Sequence, residues 1–322
     1  MKEKYALGVG LNLFDARAVL LKGGKLCVAS FERKRKKITA NDTIKVILEL
    51  CTGIMNKAKK FRGEICGIGL ALGGIVDKKK GVVYWPQKTD STYVYVSIPL
   101  KKYLENKFKL PVVIENDANA CLWAEYIRNF PKYNNIVYLF SGVGCGLLLN
   151  GSLYRGRQGA AGELFINKKR TMSSYLGDFS FLGQWPLDLD IVKRAKELIS
   201  LGRATSLIKK ISSLGDLCLE DIFSEARNKK DKISWEILKE AAFSLGVKLS
   251  FLVNLLNPEL AVIGGGFEEA GEFFLEEITR TVKKFSFSEM REGLKVVFSK
   301  LGREATSLGA ALLVYEENSL QR

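Results

Sequence analysis

Two successive halves of this chain follow a similar course, and that repetition limits the possible folds more than any single motif does. The chain opens with three strand-like apolar runs, Tyr5–Leu11, Ala16–Leu21 and Lys25–Phe31, and Gly23-Gly24 between the last two is a hairpin signal. A helix follows over about residues 43–59, where Ile44, Ile47, Leu48, Cys51, Ile54 and Met55 recur at helical spacing behind a capping Asp42. The apolar strand Ile65–Leu72 ends in Gly73-Gly74. A second helix spans Leu100–Phe108, the buried-type strand Val112–Glu115 follows, and another helix starts at Asn116-Asp117. This order predicts a mixed sheet with helices on its faces. The course restarts with Asn135–Leu139, Gly146–Leu149, the turn Asn150-Gly151 and Ser152–Tyr154. Residues 188–228 read as mainly helical, and a long helix at about 235–256 ends at Asn257-Pro258. The strand Leu260–Ile263 runs into Gly264-Gly265-Gly266, and a helix, the strand Lys295–Phe298 and a last helix from about residue 304 complete the chain. Two halves that each open with a β-meander point to an ancient duplication. They predict one α/β lobe over residues 1–117, rejoined by the terminal helix at 304–322, and a second lobe over 118–303. With 322 residues the chain is long enough for two cores.

Composition excludes several functions. Apolar residues make up 47% and charged residues 26%, a soluble globular balance, and no apolar run reaches the roughly 18 residues of a membrane span. The charged start Met1–Tyr5 runs straight into a strand, so no signal peptide is expected. The six cysteines form no CxxC pair and are expected to be buried, reduced thiols of a cytoplasmic protein. There is no histidine, which removes the commonest metal ligand and the commonest general base. Acid–base chemistry must then come from a carboxylate, Lys, Tyr or Cys. The net charge is +15, with basic clusters at Arg33–Lys37, Lys57–Arg62, Lys78–Lys80 and Lys168–Arg170. These are dispersed and carry no interleaved aromatics, so they read as solvated faces rather than a nucleic-acid surface. Such a surface also attracts anions such as nucleotides.

Four segments could carry chemistry. In Ser141–Gly146, glycines 142, 144 and 146 alternate between two strands and would let backbone N–H groups approach a phosphate; a tight hairpin has the same pattern. Gly264–Gly266 lies at a strand-to-helix turn, where a nucleotide can sit, or is a plain turn. The segment Glu115–Ala120 ends a buried strand and opens a helix. Its Asn and Asp are good N-caps, and Asp117 could also accept a hydroxyl proton during phosphoryl transfer. Glu163 follows Ala161-Gly162 and could hold sugar hydroxyls or cap a local turn.

Taken together, the chain resembles the ROK family of repressors and sugar kinases. The likeness covers nearly the whole chain and rests on ENDANA (Glu115–Ala120), SGVGCG (Ser141–Gly146), NGSLYRGRQGAAGE (Asn150–Glu163), NPELAVIGGG (Asn257–Gly266) and LGAALL (Leu308–Leu313). It implies an α/β, two-lobed, actin-like ATPase fold (a duplicated ribonuclease H-like unit) with a sugar pocket between the lobes. It assigns the catalytic base to Asp117 and sugar contacts to Gly73, Gly74, Gln87, Asn116, Asp117 and Glu163. It assigns nucleotide contacts to Ser141, Gly142, Gly144, Gly146, Gly264, Gly265 and Gly266, with ATP and Mg²⁺ as cofactors and a homodimer as assembly.

Three departures stand out. The family's first phosphate loop, usually D-x-G-G-T-K, is here Gly10-Leu-Asn-Leu-Phe-Asp15, and Asp15 is expected to repel phosphate. Each lost donor typically costs about 10²–10³ in rate. Ile166 replaces the usual AGExGH histidine and residues 167–185 contain no Cys, so no zinc is expected. The chain begins in its first strand, without the helix-turn-helix of the family's repressors. The leading expectation is a hexose-like sugar kinase, glucokinase-like, with Asp117 as base. The other is a sugar sensor that has lost phosphoryl transfer, and a DNA-binding repressor is disfavoured. In the first case Gly10→Asp with Asn12→Gly, Leu13→Gly and Phe14→Thr is expected to raise activity.

Overall fold

The computed structural model describes residues 3–11, 15–34, 39–61, 63–88, 93–140, 144–164, 187–210, 214–227 and 231–320. The elements of the first half are β1 (Glu3–Leu11), β2 (Asp15–Lys22), β3 (Lys25–Lys34), α1 (Ala40–Ala58), β4 (Gly63–Leu72), β5 (Ile75–Asp77), β6 (Val82–Lys88), β7 (Tyr93–Ile98), α2 (Leu100–Phe108), β8 (Val112–Asn116) and α3 (Asp117–Arg128). Those that follow are β9 (Ile136–Phe140), β10 (Gly144–Leu149), β11 (Ser152–Leu153), α4 (Leu187–Ser200), α5 (Leu219–Arg227), α6 (Lys232–Leu256), β12 (Leu260–Gly264), α7 (Glu272–Phe285), α8 (Ser288–Arg291), β13 (Lys295–Phe298) and α9 (Ala305–Leu320). They divide into two compact units. One comprises Met1–Asn134, Gly146–Gly162 and Ser299–Arg322, the other Asn135–Cys145 and Glu163–Phe298. The whole of α3 therefore lies in the first unit, beyond the division at 117/118 read from the sequence, and α9 lies there too.

The first unit is built on a five-stranded sheet of order β3-β2-β1-β4-β8. β1 is antiparallel to β2 and parallel to β4, and β4 is parallel to β8. The two faces of β1 are chemically different, as the period-two geometry of a strand requires. Tyr5, Leu7, Val9 and Leu11 enter a core with Ile47, Leu50 and Ile54 of α1 and with Leu104 of α2. Ala6, between them, joins a second core with Leu308, Ala311 and Leu312 of α9. Burying each large side chain contributes about 1.5–3 kcal/mol.

On the α9 face small residues replace large ones. A Cβ added at Gly8 would lie 2.7 Å from the Ala311 Cβ, and one at Gly69 of β4 would overlap the Ala310 carbonyl. On its other side α9 meets α3, where a Cβ at Gly309 would overlap the Ala120 carbonyl. Tyr315 completes the dock. A register shift between Tyr5 and Ala6 interrupts the β1–β4 ladder, and the Ala6 N–H donates to the Tyr315 hydroxyl at 3.1 Å. That hydroxyl in turn donates to the Leu21 carbonyl at 2.8 Å.

Two details differ from the sequence expectations. The N-cap of α1 is Thr39 rather than Asp42: Thr39 Oγ1 accepts the Asp42 N–H at 3.1 Å and donates to the Asp42 carboxylate at 2.6 Å. Cys27 and Cys218 are exposed, whereas Cys51, Cys121 and Cys145 are buried; none of the six is in a disulfide, and burial pushes the Cys51 thiol up to about 12. Residues 75–98 also contain a three-stranded antiparallel sheet, β5-β6-β7, that the sequence reading passed over.

In the second unit β9, β12 and β13 run parallel with β12 in the middle, the same parallel triple that β1, β4 and β8 make in the first. The long helix α6 is capped by Asp231, whose carboxylate accepts the Ser234 N–H at 2.8 Å, and ends at Asn257 in the left-handed region.

The α9 contact yields a test. Gly69→Ala should destabilise the chain by about 1–3 kcal/mol or more, because its methyl meets backbone rather than a movable side chain. Gly53→Ala within α1, where nothing lies within 4 Å, should instead stabilise by about 0.5–1 kcal/mol. Urea unfolding of the two variants beside wild type measures both.

Candidate functional site

The parallel strands β1, β4 and β8 end level with one another: Gly10 pairs with Ala71, Ala71 with Glu115, and Leu72 with Asn116. Ligands of open α/β sheets gather outside such carboxyl ends. Here β8 passes directly into α3. Asn116 is the N-cap, with extended backbone, and its Oδ1 accepts the Ala118 N–H at 2.9 Å. Asp117 Oδ1 accepts the same N–H at 2.8 Å. The positive end of the α3 dipole favours a charged carboxylate at this position. Asp117 is 7% exposed, and its Oδ2 faces Gly73, where an added Cβ would lie 3.2 Å away. Asn116 Nδ2 donates to the Gly74 carbonyl at 3.4 Å. Gly73, Gly74, Asn116 and Asp117 are thus brought together. A carboxylate and an amide held this way can receive and orient hydroxyl groups. Gln87 is on β6, opposite Val94, with its side chain outside the described residues.

Sequence reasoning missed two residues at this edge. Glu115 is fully buried. Its Oε1 accepts the Asn116 N–H at 3.1 Å and Asn119 Nδ2 at 3.1 Å, and its Oε2 accepts Arg155 Nε at 2.7 Å. Arg155 Nη2 donates to Glu316 of α9 at 3.1 Å. Burial would lower the Arg155 pKa, but the Glu115 and Glu316 carboxylates outweigh it and hold the guanidinium above its usual value. Both residues stand inside quoted motifs. The one available signal was a charged residue closing a strand of buried type.

The start of the first phosphate loop is occupied by protein. A Cβ at Gly10 would lie 2.7 Å from the Thr306 carbonyl carbon and 2.8 Å from the Thr306 Cβ, so α9 fills the space that an aspartate would need. Asp15 is buried and bonded to Arg17 Nε at 3.1 Å and Nη2 at 3.2 Å, with Arg303 3.7 Å away. Its charge is therefore neutralised within the protein rather than turned on a ligand, which corrects the expectation of simple phosphate repulsion. Residues 12–14 lie outside the described residues.

In the second unit, two segments assigned to nucleotide follow the carboxyl ends of adjacent parallel strands. Gly264 pairs with Phe140. Gly265 and Gly266 both have positive φ, and a Cβ at Gly265 would lie 2.9 Å from the Phe140 ring. The Gly266 N–H donates to Glu268 Oε2 at 3.0 Å, so a carboxylate of the chain already holds that donor. Ser141 and Gly142 lie outside the described residues, and Gly144 bridges Glu163. Burial, with the charge of Glu163 beside it, pushes the Cys145 thiol up. Gly146 belongs to the first unit, where an added Cβ would lie 2.6 Å from the Ala118 carbonyl oxygen. Among the described residues no cluster of three or more His, Cys, Asp or Glu could hold a metal, and Ile166 and residues 167–185 lie outside them. No helix among the described residues is long and apolar enough to cross a membrane.

Two α/β units, each with a parallel triple of strands, define the actin-like ATPase class of folds. Solved structures share it. A ROK family glucokinase from Streptomyces griseus, in complex with glucose and AMPPNP, aligns with TM-score 0.77 at 24% identity, covering 97% of this chain and 99% of that one. A ROK family transcriptional regulator homologous to the Mlc protein of E. coli aligns with TM-score 0.74 at 22% identity, over 97% and 78%. The family model for ROK matches residues 15–166 and 195–317, and the chain belongs to the ROK family. It is 28% identical to a glucokinase of Halalkalibacterium halodurans over 82% of this chain and 80% of that one. It is also 28% identical to a xylose repressor of Caldicellulosiruptor bescii, over 85% and 68%.

The Asp15 cluster can be tested directly. Asp15→Ala should destabilise the chain by about 1–3 kcal/mol in urea unfolding, because Arg17 and Arg303 lose a buried acceptor. A carboxylate that merely faced solvent would be replaced at no cost.

Proposed function

We propose that this chain is a sugar-binding ROK protein that takes a hexose-like sugar through Asp117 and Asn116 and acts as a sensor or regulator, its phosphoryl transfer impaired. The observation that carries this is the contrast within one sheet edge. The sugar side is assembled, with Asp117 and Asn116 packed against Gly73-Gly74, while at the phosphate side Gly10 lies under α9 and Asp15 is bonded internally. The residues at the start of the first loop, Gly10 beneath α9 and Asp15 bonded to Arg17, do not fit a Mg²⁺–nucleotide group. The sugar-ring role of Glu163 and the part of Gln87 stand in the proposal on the resemblance alone, as does a cytoplasmic location.

A second reading, a glucokinase-like sugar kinase using ATP with Mg²⁺, is favoured by Asp117 itself. A buried carboxylate at a helix N-terminus is suited to accept a hydroxyl proton as well as to bind one. Calorimetric sugar titrations beside ATP turnover, over a hexose panel, separate the two. The sensor reading expects sugar binding without turnover and an Asp117→Asn variant altered in affinity only. Sugar-dependent ATP consumption that falls about 10²–10⁴-fold in Asp117→Asn would establish the kinase instead. Gly10→Asp should not restore activity, because it displaces α9.

The homodimer is also proposed from the resemblance. Phe243, Phe251 and Leu255 on α6, with Phe285 at the end of α7 and Phe287 just after it, expose large apolar side chains, and the Phe243 and Phe285 rings pack edge to face at 5.9 Å. Sedimentation at micromolar concentration should show a dimer that Phe251→Glu dissociates. A wild type that sediments only as the 35.9 kDa chain removes the dimer.

A further inference from the structure

We propose that Arg155 is a positioning residue for Asn116 and Asp117, acting through Glu115; this deepens the sugar-binding reading and rests on it. The path is short and continuous. Arg155 Nε binds one oxygen of the Glu115 carboxylate, and the other oxygen receives the peptide N–H of Asn116 and the amide of Asn119. Glu115 therefore holds both the last peptide before α3 and a side chain one turn into it. Those two anchors set the direction in which Asn116 and Asp117 leave the strand.

Arg155 is itself fixed from behind. Its Nη2 is bonded to Glu316 of α9, its carbonyl accepts the Ala161 N–H at 3.2 Å, and the Gln158 carbonyl of the same loop accepts the Lys78 N–H at 2.9 Å. Lys78 Nζ lies 3.8 Å from Glu115 and also pairs with Glu317. Three carboxylates and two cations, drawn from β8, the turn after β5, the loop after β11 and α9, thus meet behind the Asn116-Asp117 corner. Such a network is rigid while complete, and removing Arg155 leaves the buried Glu115 carboxylate with only the more distant Lys78 to offset its charge. The fork of a guanidinium can bond two carboxylates at fixed angles, which an ammonium cannot copy.

The test uses the full chain and the hexose that wild type binds most tightly in the panel. Arg155→Gln should weaken sugar affinity by about tenfold or more, and Arg155→Lys should fall between it and wild type. The double variant Glu115→Gln with Arg155→Gln should recover affinity relative to Arg155→Gln, because the amide can still accept the Asn116 N–H and no buried charge is left alone. Urea unfolding run in parallel separates stability from geometry: a purely structural role lowers stability while the folded protein keeps wild-type affinity. Wild-type affinity in folded Arg155→Gln overturns the proposal, and if that variant does not fold, wild-type affinity in Arg155→Lys does the same. A wild type that binds no sugar overturns the underlying reading and this proposal with it, whereas a wild type that binds sugar and is indifferent to Arg155 overturns this proposal alone.

Discussion

The first unit depends on how closely a helix can approach a sheet. α9 lies on β1 and β4 at a distance that leaves no room for a Cβ at Gly8, Gly10 or Gly69, and its own small residues Ser307, Ala310 and Ala311 meet those glycines. Side-chain interdigitation is replaced there by backbone-to-backbone contact, and both strands are held by α9. Leu308 and Leu312 then fill the flanks against Val19 and Leu21. The opposite face of the same strands has ordinary large aliphatic packing under α1. One sheet thus combines a thick layer and a thin one.

The thin layer also braces α3. Glu125, fully buried on α3, accepts Ser299 Oγ at 2.7 Å and the N–H groups of Lys300 and Leu301 at 2.7 and 2.9 Å, fixing the turn that leads into α9. Cys121 lies 3.2 Å from the Thr306 hydroxyl, and Gly309 rests on Ala120. Asp117 occupies the first turn of a helix clamped along its length, so its carboxylate is held by the packing of the unit and not by its neighbours alone. Functional groups placed on braced elements lose less freedom when a ligand arrives.

Elements with strong local signals were legible in the sequence. α2 at Leu100–Phe108 and β13 at Lys295–Phe298 fall where the sequence reading puts them. The strands β5 to β7 were not, since Pro86 argues against a strand and the polar residues around it hide the alternation. Asp42 attracted the capping assignment because it is the better-known cap type, although Thr39 three residues earlier makes the reciprocal pair. At the candidate site, the company of Asn116 and Asp117 with Gly73-Gly74 was implied by the family resemblance. The part of Glu115 was not: its partner Arg155 is distant in sequence, and a charged residue closing a buried-type strand does not say which cation meets it. Gly10 was read as a lost ligand; that it is also a packing position required the position of α9.

Gly10 has a consequence for the substitutions that the first unit can accept. In a chain with an aspartate at this position, α9 would have to stand further off, and replacing that aspartate by glycine would open a gap. In this chain Thr306 has settled into that space. Putting an aspartate at this position would therefore have to shift a helix on which β1, β4 and α3 all rest. A single side chain is thereby tied to the packing of the whole unit, and its replacement is a question of packing before it is one of chemistry.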